Sequence, residues 1–194
     1  MRNFFVGLDL GERQDPSAIA VVEKIERARP YGPPEFEELR VRQLARAPLG
    51  TPYPMLVAGV REGLRSSELR DQCTLVVDST GVGIPVIEML RGAKMGCEVL
   101  AVTITGGERA TQHGQNWNVP KKDLMSGVQL LLDEGRLRIA KDLPEAGWLV
   151  KELVDVRVRQ KASGRVRMGA DGYGEHDDLV IALALAVWRA RRRY

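Results

Sequence analysis

The sequence opens on a short apolar run that stops at a carboxylate, and no other feature narrows the possible folds as much. Phe4-Phe5-Val6-Gly7-Leu8-Asp9 reads as a buried strand with an aspartate at its end. Ser17 to Val22 is apolar and β-branched and reads as its hairpin partner, with turn residues from Gly11 to Pro16 between them. The stretch from Ala28 to Glu35, rich in proline and charge, is expected as an exposed loop. A third strand follows from about Glu37 to Leu44, with Leu39 and Val41 on one face. These three strands predict an antiparallel meander.

Beyond it the pattern changes to helices alternating with short apolar strands. Leu56, Val60 and Leu64 have helical spacing after Pro52 and Pro54. Thr74 to Val77 is a short apolar strand entering Asp78, and Ser79-Thr80-Gly81-Val82-Gly83 turns into a helix that runs through Leu90. Val99 to Ile104 is the next strand. A polar, glycine-rich stretch from Thr105 to Asn118 is expected as a loop, and Val119-Pro120-Lys121-Lys122-Asp123 leads into a helix ending near Glu134. A short strand from Arg136 to Ile139 and a helix from about Pro144 to Leu153 come next. Val154 to Gln160 and Arg165 to Met168 read as a basic hairpin, before a strongly apolar helix from Leu179 to Trp188. The fold class is therefore α/β, with later strands joined in parallel through helical crossovers.

Composition excludes several classes. At 44% hydrophobic and 28% charged residues over 194 positions, the chain suits one globular domain rather than a disordered or fibrous one. No apolar run reaches membrane-span length, and Met1-Arg2-Asn3 leads straight into a strand, so neither signal peptide nor anchor is expected. Cys73 and Cys97 lie in apolar company outside any metal-ligand spacing, the pattern of reduced, semi-buried thiols in a cytoplasmic protein. The net charge of +3 is mild, but Arg157, Arg159, Lys161, Arg165 and Arg167 flank one turn and Arg189, Arg191, Arg192 and Arg193 crowd the C-terminus. Trp117 and Trp148 are expected as packing residues, and His113 as a solvent-exposed loop residue.

Three acidic positions stand where elements meet solvent: Asp9 after the first strand, Asp78 after the fourth, and Asp177-Asp178 at the start of the last helix. One such aspartate commonly caps a turn or helix, and Asp177 suits an N-cap. Three in apolar settings point to a shared site, where like charges need divalent cations to hold them together. Oxygen ligands with water in the remaining positions suit Mg²⁺ or Mn²⁺. Lys121 and Lys122 sit at a helix start, where cations are slightly unfavourable, which fits a phosphate contact better than a solvated helix end.

Val6-Gly7-Leu8-Asp9-Leu10-Gly11, followed by Ser17-Ala18-Ile19-Ala20-Val21, resembles the first hairpin of the nuclease domains of phage terminase large subunits. Val77-Asp78-Ser79-Thr80-Gly81-Val82-Gly83 is similar to their second acidic motif, and Glu175-His176-Asp177-Asp178-Leu179-Val180-Ile181-Ala182-Leu183-Ala184 to their third. Val119-Pro120-Lys121-Lys122-Asp123-Leu124 and the Lys161-to-Arg165 hairpin fit as well, so the resemblance covers nearly the whole chain in the family's order. It implies a single RNase H-like nuclease domain over residues 1–194, with a mixed sheet and a C-terminal basic hairpin. It also implies two Mg²⁺ or Mn²⁺ ions and endonucleolytic hydrolysis of double-stranded DNA during genome packaging, in the cytoplasm of a host cell. Asp9 would bridge both ions, Asp78 and Asp178 would bind one each, and Asp177 and His176 are further candidate ligands. Lys121, Lys122, Arg159, Lys161, Arg165 and Arg167 would lie along the DNA backbone.

A packaging ATPase domain and a portal are the implied protein partners, with no membrane involved. The chain itself has no G-x-x-x-x-G-K-[ST] motif, so ATP hydrolysis of the P-loop kind is excluded. Two rival readings remain: a RuvC-like junction resolvase, and a catalytically silent DNA-binding or docking module. The Pro-Lys-Lys-Asp run and basic hairpin point away from the first. The three acidic positions point away from the second, since an idle carboxylate cluster only costs stability.

Overall fold

The computed structural model of the protein describes residues 4–11, 15–32, 35–81, 83–160, 166–169 and 177–192, with 157–160 and 166–169 described by their backbone alone. Strand β1 (Phe4–Asp9) pairs antiparallel with β2 (Ala18–Arg27), and β2 with β3 (Glu35–Arg46). Both β2 and β3 run further than their apolar patterns predicted. Ion pairs carry the extensions, with Arg42 bound to Glu23 at 2.5 Å and Arg27 to Glu37 at 2.5 Å. Cross-strand opposite charges of this kind stabilise pairing without burial, so hydrophobic alternation does not reveal them.

Helix α1 (Tyr53–Leu64), β4 (Cys73–Asp78), α2 (Gly83–Gly92) and β5 (Glu98–Thr105) build the crossovers that the sequence predicts, β4 lying parallel to β1 and β5 parallel to β4. The stretch expected as a loop instead contributes β6 (Thr111–His113) and the first residues of β7 (Asn116–Pro120). Strand β6 is exposed along its length and carries no apolar signal, whereas β7 is recruited by tertiary packing. Its Trp117 meets Trp188 edge-on at 5.2 Å. Then come α3 (Lys121–Asp133), β8 (Leu137–Ile139), α4 (Ala146–Asp155), the antiparallel ribbon of β9 (Arg157–Gln160) and β10 (Val166–Gly169), and α5 (Asp178–Arg191).

The main sheet has the order β6-β7-β5-β4-β1-β2-β3-β8, so β1 is central. Strand alternation splits the core in two. Val6, Leu8, Leu75 and Val77 face α1 and α2, while Phe5 and Val76 face α3, α4 and α5. Helix α5 is buried from Asp178 to Ala190, which accounts for its apolar residues on every side. Cys73 is buried and Cys97 half-buried, as expected. Trp148 departs from expectation, being 56% exposed on α4 rather than packed. Among the described residues no helix is long and apolar enough to cross a membrane.

Gly7 sets the distance between the layers. A Cβ built there would lie 1.8 Å from the Ala182 carbonyl oxygen and 3.1 Å from the Ala186 nitrogen, so α5 rests directly on the β1 backbone. Gly7→Ala should therefore cost about 3 kcal/mol or more, or prevent folding, by denaturant unfolding. Gly63→Ala, in α1 with nothing within 4 Å of the added Cβ, should be neutral or stabilising by about 0.5–1 kcal/mol. Equal effects from the two would mean that the close approach at Gly7 is not what spaces the layers.

Candidate metal centre

The register brings two of the predicted acids side by side. Leu8 pairs with Val77 across the parallel β1–β4 ladder, so the next residues, Asp9 and Asp78, end neighbouring strands at the same level. Both follow the alternation of Phe5 and Val76 and point to the α5 side. From Gly7, Asp9 is two residues further, about 6.6 Å along the strand. From Ala182, Asp178 is one turn back, about 6 Å along the helix. The two steps match and carry the start of α5 to the end of β1.

The segment after β4 is clamped to β5. Ser79 N–H donates to the Val102 carbonyl at 2.8 Å, Ile104 N–H donates to Thr80 Oγ1 at 2.8 Å, and the Ser79 and Thr103 hydroxyls meet at 3.1 Å. Thr80 N–H donates to Asp78 Oδ1 at 2.8 Å, which orients that carboxylate. Gly81 turns the chain with φ 86°, a conformation open to glycine, and so frees the acidic end of β4 before α2 begins.

Asp177 occupies the N-cap position of α5 but makes no capping hydrogen bond, so the alternative role as a cap is not the one it plays. Its Oδ2 pairs instead with Lys121 Nζ at 2.9 Å. The cap comes from another helix. Glu152 Oε2 accepts the Leu179 and Val180 N–H groups at 3.0 and 3.2 Å. Glu152 Oε1 meets Arg46 Nη2, Glu145 Oε2 takes Arg46 Nη1 at 3.1 Å, and Arg46 Nε lies 3.9 Å from Asp178 Oδ2. Sequence reasoning missed both Arg46 and Glu152. The one available signal was Glu152 itself, a carboxylate on the buried Ala146–Leu149 stripe of α4.

The acids also act on one another electrostatically. Asp9 keeps some contact with solvent, but protein surrounds most of its carboxyl. Burial first, and then the charges of Asp78, Asp178 and Asp177, push it well above the usual carboxylate range against the pull of Lys121. Asp78 is also raised, chiefly by burial, with Thr80 and Lys121 opposing. Burial likewise lifts Glu152 to about 7 against the attraction of Arg46.

The remaining predicted residues divide. Lys121 reaches the acidic cluster from the start of α3. Lys122 points away to a surface pair with Glu108 at 2.6 Å. Arg159 and Arg167 are register partners in the backbone of the β9–β10 ribbon. His176, Lys161 and Arg165 lie outside the described residues. His113 is exposed, as expected.

Among the described residues, no three histidine, cysteine or carboxylate side chains are placed so that together they could hold a metal ion. The donor set still fits hard divalent cations. All of it is carboxylate oxygen, Asp9 and Asp78 are destabilised by burial and by the charges of neighbouring aspartates, and Lys121 offsets both.

The β3-β2-β1-β4-β5 order, antiparallel then parallel, with acids at the ends of β1 and β4 and at the start of the last helix, is the RNase H-like nuclease fold. The solved structures similar to this chain include nuclease domains of large terminases, the family whose resemblance the sequence carries, and their alignments cover 95% or more of the chain. The large terminase nuclease of thermophilic phage G20c with bound magnesium aligns at TM-score 0.66 and 25% identity, covering 95% of this chain and 80% of that one. The nuclease domain of the SPP1 bacteriophage large terminase with bound Mn aligns at 0.58 and 13% identity, covering 96% and 86%. The HK97 bacteriophage large terminase aligns at 0.60 and 15% identity, with 97% of this chain covering 40% of that protein. No protein-family model matches the sequence, and no curated protein does.

A carboxyl whose folded-state pKa is raised favours folding while protonated, and this contribution is lost as the pH rises through the raised value. Asp9→Asn removes that dependence. Without divalent ions, the melting temperature of Asp9→Asn should match wild type near pH ~4 and exceed it by a few degrees near pH ~8. Added Mg²⁺ should close the gap by stabilising wild type alone. A gap that does not change with pH would refute the repulsive cluster.

Proposed function

We propose that the protein is a divalent-metal-dependent DNA endonuclease, the DNA-cutting part of a viral genome-packaging terminase. The observation that carries this reading is the convergence of Asp9, Asp78 and the Asp177-Asp178 pair at one end of the sheet, with the Asp9 and Asp78 carboxyls raised in pKa and Lys121 paired to Asp177. The similar nuclease domains that hold magnesium, cobalt or manganese support the choice of ions.

In this reading Asp9, Asp78 and Asp178 are the residues that would hold the divalent ions. Bound Mg²⁺ or Mn²⁺ would supply Lewis acidity and a lowered pKa for the attacking water. Thr80 keeps the Asp78 carboxylate turned toward its neighbours through the bond to Oδ1. Lys121 stands at the rim, where its ammonium can exchange Asp177 for a phosphate oxygen of the incoming strand. The basic ribbon, in which Arg159 and Arg167 are register partners, lies along the DNA backbone in this reading. Double-stranded DNA is the substrate, and the packaging ATPase is the partner domain.

Purified protein should nick or cut plasmid DNA with little sequence preference when given Mg²⁺ or Mn²⁺, and stop in excess EDTA. Asp9→Asn and Asp78→Asn should each lower cleavage by more than about a hundredfold while leaving the fold intact by circular dichroism. Activity that survives EDTA, or both substitutions, sinks the proposal. For the ribbon, Lys161→Ala with Arg165→Ala should shrink the slope of log affinity against log salt by about two units, evenly across DNA sequences. An unchanged slope in titrations over a salt series would make the hairpin a solvated surface and nothing more.

A further inference from the structure

Resting on the nuclease reading above, we propose that Glu152 is a positioning residue for Asp178. It holds the Arg46 guanidinium off the Asp178 carboxylate and anchors the backbone on which that carboxylate stands. Arg46 ends β3 directly opposite Ala18, and Ala18 lies opposite Asp9, so the arginine belongs to the same edge of the sheet as the acids. Its side chain is mostly buried among three carboxylates. Glu145 and Glu152 occupy the two Nη atoms, while Nε is 3.9 Å from Asp178 Oδ2, beyond hydrogen-bond distance. That Nε is buried and has no hydrogen-bond partner among the described residues.

A guanidinium fork prefers bidentate pairing with a carboxylate, and Asp178 is the next one within reach. An arginine so paired would occupy the oxygens that a cation needs. The Glu152 charge is what keeps the fork turned away. Its second oxygen accepts the N–H groups of Leu179 and Val180, the two residues after Asp178, and so sets the backbone from which Asp178 projects. One buried carboxylate thus orients a ligand and protects it from capture.

The test is Mn²⁺ binding to the DNA-free protein, by calorimetry near pH ~8, for wild type, Glu152→Gln, Arg46→Gln and the double variant. Glutamine keeps an oxygen for the α5 N–H groups but offers Arg46 no charge. Glu152→Gln should weaken Mn²⁺ binding about tenfold. Arg46→Gln should bind at least as tightly as wild type, and the double variant should recover to within about threefold of it. Recovery on removing a second residue is an outcome that a merely structural role does not produce. Unchanged binding in Glu152→Gln overturns the proposal. So does a double variant as weak as the single, or a fall in melting temperature with the affinity of the folded fraction unaltered. If wild type binds no Mn²⁺, the nuclease reading falls along with it. If wild type binds and only the Glu152 pattern fails, the nuclease reading stands.

Discussion

Helix α5 lies on β1 with no side chain between them at Gly7, and the remainder of the molecule is arranged around that contact. Because the backbones touch, a fixed number of residues on each side reaches the same place, the end of β1 and the start of α5. The apolar burial of α5 along its length holds the helix in register, since sliding it would expose or crush close-packed side chains. The acidic cluster is thus placed by packing some distance from the acids themselves. A cluster of like charges cannot assemble through its own interactions.

What keeps the cluster from splaying is divided among neighbours of different kinds. Asp78 is held through its own turn by Thr80, which in turn is tied to β5. Asp177 is paired with Lys121. Asp178 is carried by a helix start whose N–H groups are satisfied by Glu152 instead of by the residue in the capping position. Delegating the cap leaves both aspartates of the pair available for charge interactions. The cost of burying Glu152 is offset by Arg46 and by the dipole of α5.

A good part of this was legible in the residues. The central strand and its hairpin, the two crossovers, and the acids at strand ends and at a helix start all follow from apolar periodicity interrupted by aspartate. The ionic extensions of β2 and β3 were not, because cross-strand charge pairs leave no hydrophobic period. Strand β6 was hidden for the same reason, being polar and exposed throughout. Trp148 looked like a packing residue in an amphipathic helix, yet the stripe that α4 buries runs through Ala146, Leu149 and Glu152 instead.

By itself the sequence determined the order of the elements other than β6 and β7, and the placement of aspartates at strand ends and at a helix start, because local propensity and burial pattern depend on neighbours along the chain. It did not determine that Lys121 turns inward while Lys122 turns to the surface, or that Asp177 forgoes the capping bond that its position offers. Nor did it link Arg46 and Glu152, 106 residues apart, to the start of α5. Those outcomes rest on which side chains meet across the layers at a given helix rotation and strand register. Only the tertiary structure sets these, because the energies that decide them arise between residues remote in sequence.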